Sequence, residues 1–414
     1  MFEISSSFAE HEDSNDPLNY LREKFHHPVD RNGKPLIYFC GNSLGLQPKS
    51  VPDILDKELK VWQERGVLGQ EDRWINYHEK LAVPSSKIVG AKPSEVVVMN
   101  ALTINIHLLL VSFYRPTNKK YKVIIEKGAF PSDQYAVGSH LHFHGFNEKD
   151  ALIEIEPRKG RDTIQEEDIL KAIIKNSSEV ALIYIGGINY LTGQLFDMES
   201  ITKIAKKYGI VVGFNLAHCA GNVELFLHKW GVDFASWCTY KYLCAGPGSP
   251  SGVFIHEDHH NWIGPRFTGW WGHNKESRFK MPSNFDPILT AEGWQISNAP
   301  ILGMAPLISS LELYESATME RVTKKGIKLT GYLEFLIKTF LPKISIITPL
   351  EKGSQISIKI QNGRKFFQKI MEKGLICDWR EPNIIRISPH PMYNSFFDVY
   401  NAVDILRDVL NEKF

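Results

Sequence analysis

Cysteine is scarce in this chain, and none of it is spaced for a metal or redox site. Five cysteines occur in 414 residues, at 40, 219, 238, 244 and 377, and no two form a CxxC pair. That excludes a dense disulfide framework and points to a reducing compartment. No apolar run reaches the roughly 18 residues a transmembrane helix needs, so none is expected. Charge of either sign is not in excess: 48 Lys and Arg face 47 Asp and Glu, a formal net charge of +1. No bulk basic field therefore exists to draw in nucleic acid or anionic membrane. The opening stretch MFEISSSFAEHEDSNDP is polar and acidic, without the basic-then-apolar order of a secretory signal. Internal repeats and low-complexity segments are also missing. The expectation is a cytosolic protein of ordinary composition, 43% hydrophobic and 23% charged. At this length it should hold more than one small core.

What is there is alternation. Short apolar runs at 95–99, 121–126, 151–156, 179–185, 210–214, 233–237 and 252–256 read as strands. Several are apolar without a break, as strands buried on both faces are. Helical patterns separate them. In TINIHLLLVSFY, Ile104, Leu108 and Val111 share a face, with Thr103 as the expected N-cap. In MESITKIAKKYG, Ile201, Ile204 and Ala205 share a face, and Gly209 follows the end. This is an α/β domain around a mainly parallel sheet. After about residue 300 come helical patterns at 302–316 and 319–340, then mixed strands and helices, with a last helix from about 395. The expected division is an N-terminal segment 1–60 packing with the small domain, a large domain 61–310 and a small α+β domain 311–414.

Ligands of open α/β sheets bind beyond the C-terminal strand ends. Five polar or glycine-rich segments follow strands here, among them NALT, KGAFPSDQY, GGINYLTGQ, NLAHCAGN and CTYKYLCAGPGS. Lys241 lies between Tyr240 and Tyr242, with Trp237 just upstream. Such neighbours desolvate an amine and lower its pKa, as a Schiff-base lysine requires. NALT opens a helix, where free N–H groups and the dipole suit a phosphate, although a plain cap is the commoner role for Thr103 alone. A phosphate site and a desolvated lysine on one edge suggest pyridoxal phosphate (PLP). Weaker candidates are a metal site from His140, His142 and His144, which share a face if extended, and nucleophilic Cys219 or Cys244.

The segments YFCGNSLGLQPK (38–49), MNALTINIHLLL (99–110), FPSDQY (130–135), NYLTGQ (189–194), AHCAGNVELFLHKWGVDFASWCTYKYLCAGPG (217–248), GWWGH (269–273), WQISNAP (294–300) and IIRISPHPMYNSFFDVY (384–400) carry a resemblance over nearly the whole length. The chain resembles the kynureninases, PLP enzymes of the aspartate aminotransferase fold type I. The resemblance implies a mainly parallel seven-stranded sheet flanked by helices, with a smaller C-terminal domain. It implies hydrolysis of the Cβ–Cγ bond of L-kynurenine or 3-hydroxykynurenine, in tryptophan catabolism and NAD biosynthesis, by a homodimer with shared sites.

Residue by residue, it makes Lys241 the Schiff-base lysine and Tyr240 a phosphate contact and proton donor. Leu102 and Thr103 would lie at the phosphate, Phe130 on the ring, and Asp133, Gly186, Asn215 and His218 around it. Trp271 and Asn298 would arrive from the neighbouring subunit, Asn298 also meeting substrate. Arg386 would clamp the substrate carboxylate, with Asn42, Ser43 and Gln70 near the substrate. No metal is implied.

Three positions depart from the pattern. Asn215 stands where the family has an aspartate that pairs with the pyridinium nitrogen. An amide there is expected to weaken the electron sink, and the competing reading is a PLP-binding relative of reduced or altered activity. Gln70 stands where animal-type members have a histidine, and Cys244 replaces the usual asparagine.

Overall fold

The computed structural model describes residues 2–361 and 363–412. Its centre is a seven-stranded sheet built from the seven apolar runs: β1 (Val96–Met99), β2 (Lys122–Glu126), β3 (Leu152–Ile155), β4 (Val180–Gly186), β5 (Val211–Asn215), β6 (Phe234–Trp237) and β7 (Ser251–Ile255). The spatial order is β1-β7-β6-β5-β4-β2-β3. Strand β7 runs antiparallel to β1 and β6, and the other pairings are parallel. β1, β6 and β7 are buried along their whole length, which is why they carry no polar face. Gly186, Asn215 and Ser236 are in register across β4, β5 and β6, so these three positions form one row across the sheet.

Helices α1 (Leu102–Phe113), α2 (Pro131–Phe143), α3 (Glu166–Lys175) and α4 (Met198–Lys207) follow β1, β2, β3 and β4. Two apolar clusters fill the large domain; one includes Ile124, Ile183 and Phe214, the other Val123, Leu182 and Phe234. Neighbouring residues of a strand thus feed different clusters, as the pleat requires. A third cluster joins Leu329, Leu333, Ile356, Ile385 and Val403 in the C-terminal part. The N-terminal segment is shared out: Ala9 and Phe39 pack there, whereas Leu18, Leu21, Phe25 and Leu46 pack into the first cluster.

Two expectations change. Thr103 lies inside α1, and Ala101 is its N-cap residue, with no side-chain cap. His140, His142 and His144 are not on an extended strand. His140 and His142 lie in α2, whose i, i+2 spacing sends side chains to different faces. His140 is buried against His107, with ring nitrogens 3.2 Å apart, whereas His142 is exposed.

Candidate active site

At the C-terminal ends of β2, β4, β5 and β6 lies a cavity of about 330 Å³. Its wall includes Asn42, Ser43, Leu102, Thr103, Phe130, Asp133, Gly186, Asn215, His218, Tyr240, Lys241 and Arg386, twelve residues named from sequence. The turn after β6 delivers Tyr240 and Lys241. The loop at Gly45 packs directly beneath it: its N–H donates to the Tyr240 carbonyl at 2.9 Å, and a Cβ there would lie 2.4 Å from the Lys241 carbonyl oxygen. Only glycine fits that approach.

Lys241 Nζ lies 3.2 Å from His218 Nε2 and 5.8 Å from the centre of the Phe130 ring. Burial lowers its pKa; Cys238 and Asp133 oppose that, while Arg386 and Arg380 reinforce it. Burial also drives His218 well below its usual value, helped by Lys241, Arg386 and Arg380. The imidazole is therefore neutral at pH 7, and a neutral ring nitrogen can accept a hydrogen bond from the amine. Tyr240 is pushed up by burial and by Cys238, so its phenol keeps the proton.

The start of α1 forms the opposite end. Asn100 takes φ +46°, and its Nδ2 donates to Asn105 Oδ1. Asn105 Nδ2 in turn donates to the Met99 carbonyl, which fixes the strand-to-helix turn. With no side chain capping α1, its first N–H groups are open to an anion beside the Leu102 and Thr103 walls of the cavity.

Asn215 closes β5 at 7% exposure. Its Oδ1 accepts from the Ala217 N–H at 2.9 Å, which orients the amide, since that backbone group can only donate. Its Nδ2 donates to both oxygens of Asp133, at 2.8 and 2.9 Å. Asp133 lies in the first turn of α2. Burial raises it to about 6, against the Asn215 hydrogen bond and the Lys241 charge. Glu126, the last residue of β2, also lines the cavity and accepts from the Gly186 N–H at 3.1 and 3.2 Å. Burial and the nearby Asp133 push it up to about 8.

Arg386 is 1% exposed. It donates to Asp378 through Nε at 3.2 Å and Nη2 at 2.6 Å, and to the Tyr190 carbonyl through Nη1 at 2.7 Å. A guanidinium has five N–H donors, so two remain for the cavity. Asn42 donates to Gln355 at 3.0 Å, and its buried Oδ1 has no partner among the described residues.

Gln70, Trp271 and Asn298 are not on this wall. Gln70 begins a short helical turn, Gln70–Trp74. Trp271 is buried with the Arg278 guanidinium 4.5 Å over its ring. Asn298 lines a second cavity, which shares Ala101 with the first. Cys219 and Cys244 are buried, and burial raises both thiols far above neutrality, so neither is a ready nucleophile. Glu126, Tyr190, Cys238 and Arg380 line the cavity without having been singled out. Three had a signal: Glu126 ends an apolar run at the edge where ligands bind, and Tyr190 and Cys238 lie in the strand-end segments GGINYLTGQ and CTYKYLCAGPGS, whereas Arg380 lies in none of them.

A chain from Flavobacterium psychrophilum named kynureninase is 49% identical over 419 residues, covering 98% of each chain. This chain belongs to the kynureninase family. The kynureninase of Myxococcus xanthus is 49% identical over 98% of each chain. The kynureninase of Homo sapiens is 44% identical, covering 97% of this chain and 92% of that one. The model of the kynureninase C-terminal domain matches residues 322–406, which carry Arg386. Among solved structures, a C-DES mutant with glycine covalently linked to its PLP cofactor has a TM-score of 0.77 at 15% identity, covering 90% of this chain and 96% of that one. An apo cysteine desulfurase from Thermococcus onnurineus has a TM-score of 0.76 at 17% identity, covering 100% of each. The kynureninase sequence is thus carried on the fold of the desulfurases, a fold type I architecture. Nothing in this kinship favours a reduced activity.

Proposed function

We propose that this chain hydrolyses the Cβ–Cγ bond of L-kynurenine or 3-hydroxy-L-kynurenine with PLP as cofactor. The products are L-alanine and anthranilate or 3-hydroxyanthranilate, in tryptophan catabolism and NAD biosynthesis. What carries the reading is one constellation in a chain of full-length kynureninase kinship: Lys241 against a neutral His218, with Arg386 on the same cavity.

The residues present fit the cofactor. An uncapped helix start beside Thr103 suits its phosphate, Phe130 offers an aromatic face, and Lys241 is a desolvated amine. When bound, PLP supplies an aldehyde for an imine and a conjugated ring that takes up an electron pair from Cα. Lys241, a desolvated amine, would hold the cofactor aldehyde and, once the substrate amine displaced it, would be free to move the Cα proton. His218 Nε2 keeps that amine hydrogen-bonded without adding a positive charge beside it. Arg386 offers its two free N–H donors to the substrate α-carboxylate, with Asp378 holding the fork in place. Tyr240 keeps its phenolic proton and donates it to the alanine fragment.

The same reading assigns Leu102, Asp133, Gly186 and Asn215 to the cofactor and Asn42, Ser43 and Gln70 to the substrate. It makes the protein a cytoplasmic homodimer in which Trp271 and Asn298 serve the neighbouring site. It divides the chain at 1–60, 61–310 and 311–414. Among the described residues no helix is long and apolar enough to cross a membrane. The test is incubation of the PLP-loaded protein with each kynurenine, followed by detection of alanine and the matching anthranilate. No product at high enzyme concentration overturns the assignment.

A further inference from the structure

Asn215 looks at first like a missing charge. Its surroundings say otherwise. The amide has one acceptor and two donor hydrogens. The acceptor serves the Ala217 N–H, and the NH2 spans both oxygens of Asp133 at 2.8 and 2.9 Å. The NH2 is thus turned toward the carboxylate, and the amide brings no charge of its own to a ring nitrogen. Asp133, by contrast, has about four lone-pair directions and spends two on Asn215, while its residue lines the same cavity as Lys241.

We infer that in this chain Asp133 carries the negative charge that faces the cofactor ring nitrogen, and that Asn215 is a positioning residue that clamps it. This rests on the PLP reading above and deepens it.

The electrostatics support the exchange. Three side chains meet here: Glu126, Asp133 and Asn215. Glu126 is pushed up to about 8 by burial and Asp133, so at pH 7 it holds a proton and brings no charge. Asp133 is raised only to about 6, because Asn215 and Lys241 oppose its burial. The Asn215 NH2 and the Lys241 amine both favour the charged form of Asp133, whereas Glu126 has only the Gly186 N–H, so the negative charge of the cluster falls on Asp133. An aspartate at 215 would place a second carboxylate within 3 Å of the first. Like charges that close share a proton instead of both ionising. The amide avoids that conflict and supplies a donor where repulsion would stand.

The experiment compares holoenzyme, Asp133→Asn, Asn215→Asp and the exchanged double variant Asp133→Asn/Asn215→Asp. PLP retention in equilibrium dialysis gives each dissociation constant, the visible absorption of the bound cofactor reports its ring, and melting of each apo protein reports folding. The expected result is at least a tenfold loss of PLP affinity in Asp133→Asn, with an altered absorption band. Asn215→Asp should bind PLP no more tightly than wild type, and the double variant should bind more tightly than Asp133→Asn. Wild-type affinity in Asp133→Asn overturns the inference, as does tighter binding by Asn215→Asp. If Asp133→Asn does not fold, the Asn215→Asp comparison decides alone. A wild-type protein that retains no PLP refutes the cofactor reading itself, a separate failure.

Discussion

Two buried carboxylates sit at opposite ends of the central sheet and titrate in opposite directions. Asp233, just before β6, is 3% exposed; Glu126, at the end of β2, is 4% exposed. Asp233 accepts from the Val212 N–H at 2.8 Å, Lys206 Nζ at 2.6 Å and His259 Nε2 at 2.7 Å. Burial alone would raise it, but His259, Lys206 and Val212 together hold it below the ordinary carboxylate value. Glu126 has the Gly186 N–H and, in place of a cation, the carboxylate of Asp133 nearby. The same burial leaves one group charged and the other protonated at pH 7. At the lower end the fold gives the buried Asp233 two basic side chains and a backbone N–H, which favours stability. At the cavity end it leaves groups short of partners, which is how perturbed groups become available to a ligand.

The comparison breaks or sharpens under four substitutions. Lys241→Ala should lower turnover by about 10³-fold or more while leaving the apo protein at least as resistant to urea as wild type. A large loss of stability would mean the cavity end is structural after all. Asp233→Ala should cost about 3 kcal/mol in urea unfolding, because the Val212 N–H and two basic side chains lose their acceptor. Activity per folded molecule should stay within about twofold, and a larger drop would erase the contrast.

Glu126→Gln tests the sign. In the folded chain Glu126 keeps its proton up to about pH 8, against an ordinary value of 4.5. The native state then binds more protons than the unfolded one across that window, so stability falls as pH rises through it. Glu126→Gln should reduce the fall in apo stability between pH 5 and 8 by on the order of 2 kcal/mol. Asp233 acts in the other window: its contribution is lost only as pH drops below 3.8 and through its lowered folded value. Urea unfolding at several pH values separates the two. The smallest effect is Cys244→Asn. Cys244 holds φ +52°, a left-handed conformation that asparagine tolerates better. Melting should show a gain of up to about 1 kcal/mol.

Much of the fold was legible because burial on both faces writes itself as unbroken apolar runs; β1 through β7 each fall on such a run. The cavity was legible as an edge, since polar segments follow those runs. Other features depend on packing that no local pattern carries. Arg380 enters the wall because its short strand, Asp378–Arg380, pairs with Ile384–Ile387. Thr103 reads as a cap by residue type, but the turn held by Asn105 moves the helix start one residue ahead of it. The three histidines looked aligned only under a strand period, and α2 dispersed them.

By itself, then, the sequence determined the strand order along the chain, the desolvated lysine between two tyrosines and the kynureninase kinship. All three live in local composition or in long matched segments. Only the tertiary structure decided what Asn215 is for. An isolated asparagine in place of an aspartate reads as a lost charge. Its meaning changed when Asp133, 82 positions away, came within 2.8 Å. Hydrogen-bond partners and protonation are set by what folding brings near in a dry site, and sequence separation says nothing of that distance.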